Sequence, residues 1–147
     1  MTKARIAVFL ATMALVAALP PGGAAAHNTN SFEACSAFTA AARYCAKVIT
    51  IVRGDTVWFR AKAKPPHGGM QVVLQRQNAG RSRWFNECQS DPMAANPCPT
   101  LSDGGRVKTS WDSGPFKPDD DDAYHFRWKI PEHGISNTLN VWVFRQP

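Results

Sequence analysis

Apolar and polar residues alternate one by one along several short stretches of this chain, and this pattern restricts its fold more than any other feature. In "TVWFRAKAK", residues 56–64, four apolar side chains share one parity and mostly charged ones share the other. Because successive side chains of a β-strand point to opposite faces of the sheet, the stretch predicts a strand with one buried face. The side chains expected to face inward are Val57, Phe59, Ala61 and Ala63.

Similar alternation recurs further along the chain, between turns rich in glycine, proline and asparagine such as "PPHGG" and "SDGG". The stretches that carry it are 70–77, 106–111, 123–130 and 138–144. About seven short strands at this spacing predict an all-β fold, an antiparallel β-sandwich over 47–147. The residues expected to face inward in them are Met70, Val72, Leu74, Val107, Thr109, Trp111, Tyr124, Phe126, Trp128, Ile130, Leu139, Val141 and Val143.

The first 26 residues have the layout of a secretory signal peptide. Lys3 and Arg5 precede an apolar run over 6–19, and three alanines end at Ala26. The apolar run is too short to span a bilayer comfortably, and no second run is long enough either. Cleavage after Ala26 would leave 121 of the 147 residues, beginning at His27, which is the length of one domain. We therefore predict a secreted, extracellular protein.

All four cysteines lie after this segment, at Cys35, Cys45, Cys88 and Cys98. An even number of cysteines in an exported chain predicts two disulfides. A metal site is a weaker interpretation, because the sequence has no Cys-x-x-Cys pair.

The segment 27–46, which carries the first two cysteines, is open to two interpretations. Its alanines, with Asn30 followed by Glu33, favour a capped helix. In one continuous helix, however, Cys35 and Cys45 would lie about 15 Å apart, far beyond disulfide reach. A helix would therefore require both to pair with Cys88 and Cys98. We favour local pairing, Cys35 with Cys45 and Cys88 with Cys98.

The charge balance bears on partners. Without Lys3 and Arg5 the chain has fifteen Lys and Arg against eleven Asp and Glu, and four of the acids form the run 119–122. The rest of the surface is therefore basic, which suits contact with anionic walls, glycans or membranes. We predict a cell-wall glycan or an extracellular protein as partner of a monomer. No Lys/Arg cluster indicates nucleic acid. The aspartate run lacks the spaced glycine and carboxylates of a calcium loop and is predicted to be a charged turn.

No catalytic motif stands out. The sequence has no Gly-x-Ser-x-Gly, His-Glu-x-x-His or glycine-rich phosphate loop. "WDSGPF", residues 111–116, is only superficially like a serine-protease motif, since it lacks paired glycines for an oxyanion hole. The tripeptide Arg53-Gly54-Asp55 is explained as a turn that enters a strand. We therefore expect no enzyme activity and no cofactor.

Four stretches together resemble bacterial Ig-like domains of small secreted or wall-associated proteins. They are "RGDTVWFRAKAKPPHGGMQVVLQRQ", "GGRVKTSW", "AYHFRW" and "SNTLNVWVF", and the likeness covers 53–144. The resemblance implies an Ig-like sandwich used as a non-catalytic spacer or binding domain. The chain departs from the antibody pattern, because Phe126 stands two after Tyr124, where an antibody domain has its core cysteine.

An Ig-type strand order would place the last two strands side by side, with the "QVVLQ" strand next to them. The outward residues would then form one basic, aromatic and flat surface, and we predict partner binding there. Arg127 is expected to stack on Trp142 as a cation–π pair. The alternative is that the N-terminal cysteine segment covers this surface. The predicted binding residues are His125, Arg127, Lys129, Trp142 and Phe144, with Val73 and Gln75 beside them.

Copper binding is the alternative function. If His27 is the mature N-terminus, its amine and imidazole can chelate copper, and His133 can supply a second imidazole. Small periplasmic copper carriers that are also β-sandwiches resemble this arrangement. The motif that follows the first histidine in those carriers is absent here. About twenty residues also separate His27 from the first secure strand, which loosens the geometry that such a site needs.

Overall fold

The computed structural model describes residues 31–114 and 123–145. These residues form nine β-strands and no helix. The strands are β1 (Ser31–Ala37), β2 (Val48–Val52), β3 (Thr56–Lys64), β4 (Val73–Asn78), β5 (Phe85–Asn86), β6 (Arg106–Asp112), β7 (Ala123–Ile130), β8 (Gly134–Ile135) and β9 (Leu139–Phe144).

Two sheets make up a β-sandwich, as predicted. The smaller sheet has three strands in the order β1-β3-β6. The larger sheet has the order β2-β9-β7-β4-β5, and β8 adds to β7. This division is like that of an Ig-like sandwich, which has its first, second, fourth and fifth strands in one sheet and its third, sixth and seventh in the other, except that the described residues form no counterpart of the fourth strand.

Two details differ from a purely antiparallel sandwich of seven strands. β5 and β8 are additional strands of two residues each. β2 pairs in parallel with β9, with Val48 opposite Asn140 and Val52 opposite Phe144. The parallel pairing arises because the chain leaves the smaller sheet after β1 and joins the edge of the larger sheet before it returns as β3.

The core lies between the sheets and contains the side chains that strand parity predicted. Phe59 of β3 and Phe126 of β7 meet across the sandwich with ring centroids 4.5 Å apart. Trp111 of β6 packs edge-on against Phe126 at 5.0 Å and closes one end of the core. Every predicted inward residue of β3, β7 and β9 is buried. Val73 was predicted to face outward beside the binding residues, and that prediction is wrong, since its side chain is buried at 6% exposure.

The N-terminal cysteine segment contributes a strand. β1 pairs with β3 over its whole length, from Ser31 opposite Lys64 to Ala37 opposite Trp58. Both local disulfides are present and confirm the favoured pairing, with Cα–Cα distances of 5.4 Å for Cys35–Cys45 and 4.8 Å for Cys88–Cys98. Asn30, the predicted helix cap, lies outside the described residues.

Arg53-Gly54-Asp55 forms the turn between β2 and β3. Gly54 has a φ of 99°, which favours glycine, and its N–H donates to the Ser113 hydroxyl at 2.7 Å. The Arg53 guanidinium donates to the Ser113 carbonyl at 2.8 Å and to the Tyr124 hydroxyl at 3.3 Å. The arginine of this tripeptide therefore fastens the turn to the neighbouring strands.

Candidate functional site

The five predicted binding residues lie on the outward side of the larger sheet. Trp142 and Phe144 belong to β9, and His125, Arg127 and Lys129 belong to β7, all at positions that alternate with buried core residues. We call this side of the sheet the aromatic face. It comprises these five residues together with Val48, Asn140, Gln75, Trp84 and Asn86.

Apolar side chains are exposed along the β2–β9 edge of the aromatic face. Trp142 is 51% exposed, Phe144 64% and Val48 52%. The parallel register places Thr50 beside Trp142 and Val52 beside Phe144, so these side chains form one continuous strip. Among the described residues, no aromatic or cationic group stacks on the Trp142 ring. Grouped apolar exposure of this kind marks interaction surfaces more often than scattered single residues do.

A row of hydrogen-bonded polar side chains runs beside the apolar strip. His125 Nδ1 lies 2.6 Å from the Asn140 amide oxygen, which joins β7 to β9. Arg127 Nε donates to the Gln75 amide oxygen at 2.9 Å, and Gln75 in turn donates to Asn86 at 3.0 Å. The contacts cross β9, β7, β4 and β5, so these side chains are held in place before any ligand arrives.

Arg127 does not stack on Trp142, and that prediction is wrong. Its guanidinium lies over the Trp84 ring, with the carbon 4.0 Å from the ring centroid. Trp84 precedes β5, and β5 pairs with β4 so that Asn86 faces Gln75. Trp84 has the same parity as Asn86, which brings it to the aromatic face beside Arg127. In the sequence, the spacing of two between Trp84 and Asn86 could have indicated that both side chains lie on the same face.

The disulfide loop, residues 38–47, does not cover Trp142. It lies against the smaller sheet, where Arg60 donates to the carbonyls of Ala42 at 2.5 Å and Ala40 at 2.6 Å. Arg60 stands on the outward side of β3, since its neighbours Phe59 and Ala61 are buried. The two outer surfaces of the sandwich are therefore different in kind, one aromatic and one carrying this loop.

Of the two histidines predicted to bind copper, the structure describes only His133. His133 lies in the turn between β7 and β8, and its ring packs on His67 with centroids 4.8 Å apart. His27 lies outside the described residues. Within 31–114 and 123–145, no three His, Cys, Asp or Glu side chains are grouped closely enough to hold a metal ion.

Other predicted features also fall outside the described part of the chain, namely the signal peptide 1–26 and the aspartate run 119–122. The described residues contain no helix with the length and apolar character needed to cross a membrane.

No protein-family model matches the sequence, and neither does any curated protein sequence. Solved structures of β-glucosidase from Listeria innocua, one of them in complex with isofagomine, are similar with TM-scores of 0.39 and 0.38 at 15% identity. Each match covers 79% of this chain and 16% of the other. The chain thus spans about a sixth of the length of those structures.

Proposed function

We propose that this chain is a secreted, non-catalytic binding module that holds a glycan on its aromatic face. The observation that carries the proposal is the Trp142 indole, half exposed beside a fixed row of amide, imidazole and guanidinium groups. An exposed flat ring offers area to the apolar side of a sugar ring, while the polar row offers donors and acceptors to its hydroxyls.

The polar side chains of the row are already held by hydrogen bonds, and this supports glycan binding on the aromatic face. Side chains that must be fixed on binding lose rotamer freedom, which costs about 0.5–1.5 kcal/mol each. On the aromatic face Arg127 and Gln75 are already held by one another and by Trp84 and Asn86. A ligand that meets this row therefore loses less free energy to side-chain ordering than it would on a mobile surface.

A glycan suits the aromatic face better than a large protein partner does. The exposed apolar strip consists of Val48, Trp142 and Phe144, and apart from Trp84 and Ile135 the rest of the face is mostly polar. Obligate protein interfaces are larger and more apolar than this. The outward positions of β2, β4, β7 and β9 carry no carboxylate. The apolar strip and the amide groups of the face therefore suit a neutral glycan.

The two disulfides indicate an oxidising environment for the folded chain. Together with the signal-like segment 1–26, they support secretion as part of the proposal.

Replacing Trp142 by alanine tests the binding proposal. We expect affinity for soluble neutral polysaccharides and sonicated peptidoglycan to fall at least about tenfold, as for a central aromatic contact. The thermal midpoint should stay within a few degrees of the parent, because the ring is half exposed. Affinity electrophoresis and calorimetry measure the first effect, and a thermal melt the second.

Tyr44→Ala is the matched control, since Tyr44 is an aromatic residue 90% exposed on the disulfide loop. It should leave binding to neutral glycans unchanged. Unchanged binding in Trp142→Ala would refute the aromatic face as the site. A midpoint lowered by ten degrees or more would show that Trp142 is covered in solution.

A second candidate, copper binding, is favoured by the packing of His133 on His67. Two imidazoles that ligate one ion at about 2 Å bring their rings to roughly this separation. The site would still need further ligands, which the mature N-terminal amine and imidazole of His27 would supply.

Titration of the mature protein with Cu(II) tests this candidate. Submicromolar binding at one site, lost in both His133→Ala and His67→Ala, is the result that copper carriage requires. Weak binding that survives both substitutions would mean only an N-terminal histidine chelate, and it would exclude the candidate.

A further inference from the structure

The outward side of the smaller sheet is a basic groove with a volume of 1180 Å³. β1, β3 and β6 form its floor, and residues 40–42 of the disulfide loop line one side. Glu33 is the only carboxylate among its lining residues. The cationic residues that line it are Lys47, Arg60, Lys62, Arg106 and Lys108.

The strand register places like charges directly opposite one another in this groove. Lys62 of β3 faces Arg106 of β6, and Arg60 faces Lys108, while Glu33 of β1 lies opposite Lys62 on its other side. Like charges at opposed positions destabilise a sheet, by an amount comparable to the 0.2–1 kcal/mol that a favourable pair contributes. Within the described chain, no carboxylate forms an ion pair with Lys62, Arg106 or Lys108. With Glu33 as its one carboxylate and five cations in its lining, the groove keeps a net positive charge.

Arg60 has a structural task that the other cations lack. Its guanidinium donates to the carbonyls of Ala40 and Ala42, while the Cys35–Cys45 disulfide closes the same loop. These links hold the loop as a wall over β1 and β3. Lys62, Arg106 and Lys108 are exposed and point to the groove that this wall borders.

We infer that this groove binds a chain of acidic sugars through Lys62, Arg106 and Lys108. The inference concerns a second surface, on the opposite side of the sandwich from the aromatic face, and does not depend on the proposed function. Charge complementarity selects an anionic ligand, and the alternative of duplex DNA fits less well. A protein that makes about six to ten phosphate contacts on a duplex needs that many cations, whereas this groove presents four exposed ones, Lys47, Lys62, Arg106 and Lys108.

The groove also offers surface for the sugar rings themselves. Residues 40–42 are alanines that present small apolar side chains on its wall. Trp58, two positions before Arg60 on the outward side of β3, lies just beyond the lining of the groove, with Lys108 over its ring at 5.7 Å. A polymer with one carboxylate per ring and apolar ring faces matches this combination of spaced cations and apolar surface. A bare phosphate chain matches only the cations.

The test compares two double variants that remove the same charge. Lys62→Gln/Arg106→Gln removes an opposed pair in the groove, and Arg81→Gln/Arg83→Gln removes two exposed cations from the β4–β5 connection. Polygalacturonate is the probe, with dextran, polyphosphate and duplex DNA as comparisons, at low and at moderate salt. We expect the groove variant to bind polygalacturonate at least about tenfold more weakly and with a flatter salt dependence. The control should change affinity less than about threefold.

A structural readout accompanies the binding one. Because Lys62 lies between Arg106 and Glu33, the two cross-strand effects of its removal oppose each other, and the thermal midpoint of the groove variant should stay close to that of the parent. Equal losses of affinity in both double variants would overturn the groove as the site, because they would show attraction by net charge alone. Tighter binding of polyphosphate or duplex DNA than of polygalacturonate would overturn the acidic-sugar ligand. Trp142→Ala should leave polygalacturonate affinity unchanged, so this inference and the proposed function fail separately.

Discussion

Replacing Phe126 by alanine is expected to lower the free energy of unfolding by about 3–5 kcal/mol, the largest single-residue effect that we expect in this chain. Phe126 is fully buried and lies 4.5 Å from Phe59 and 5.0 Å from Trp111, measured between ring centroids. It therefore contacts two aromatic rings of the smaller sheet, while Tyr124 contacts Trp111 alone. Removal of the Phe126 ring takes away buried apolar contacts. It also leaves a cavity between β3, β6 and β7.

Phe144→Ala provides the matched control, because it truncates the same side chain on the outward side of β9. Phe144 is 64% exposed, so its loss should change stability by no more than about 0.5 kcal/mol. Denaturant unfolding measures both, and a thermal midpoint at least about 10 °C lower is expected for Phe126→Ala. Phe126→Leu should lose less than half as much and serves if the alanine variant does not fold. Equal losses at Phe126 and Phe144 would contradict the two-sheet core.

The core could be predicted from the sequence because strand parity is a local property. Alternation within β3, β7 and β9 marks which side chains turn inward, whatever the strands pair with. The same alternation placed Trp142 and Phe144 outward, where the structure has them. Parity therefore predicted the core and the outward side chains of β7 and β9, but neither Trp84 and Asn86 nor the burial of Val73.

β1 shows where local information is insufficient. "SFEACSA" is rich in helix-forming residues, yet Phe32, Ala34 and Ser36 are buried at every second position. The strand forms because β3 offers an open edge with a complementary register, and this tertiary pairing overrides helix propensity. The alternation was present, but alanine fits a helix as well as a strand core.

Contacts between strands that are distant in sequence could not be predicted. Arg60, Lys62 and Lys64 could be assigned to the outward side of β3 by parity alone. That Lys62 faces Arg106 follows only from the antiparallel register with β6, more than forty residues later. The packing of Arg127 on Trp84 and of His133 on His67 depends in the same way on which turns and hairpins become neighbours. The ring on which Arg127 stacks was therefore predicted wrongly, and the contact of His133 with His67 was not predicted at all.

Conversion of all four cysteines to serine is expected to cost about 5 kcal/mol of unfolding free energy. Each disulfide joins cysteines separated by 10 in sequence, and closing a loop of that length stabilises by about 2–3 kcal/mol in the chain-entropy account. A domain of this size has roughly 5–15 kcal/mol in total. The two links therefore provide a large share of the stability, as expected for a small domain in an oxidising compartment.

Variants that lack one disulfide at a time separate the effect of loop closure from the effect of burying a serine hydroxyl. Cys98 is buried, whereas Cys45 is exposed, so Cys88→Ser/Cys98→Ser also places a hydroxyl in a buried site. This variant should lose about 1 kcal/mol or more beyond the loss in Cys35→Ser/Cys45→Ser. Urea unfolding of each pair, with and without reductant, measures the difference. Equal losses would mean that loop closure alone acts at both sites, and losses below about 1 kcal/mol in both would refute the structural role of the disulfides.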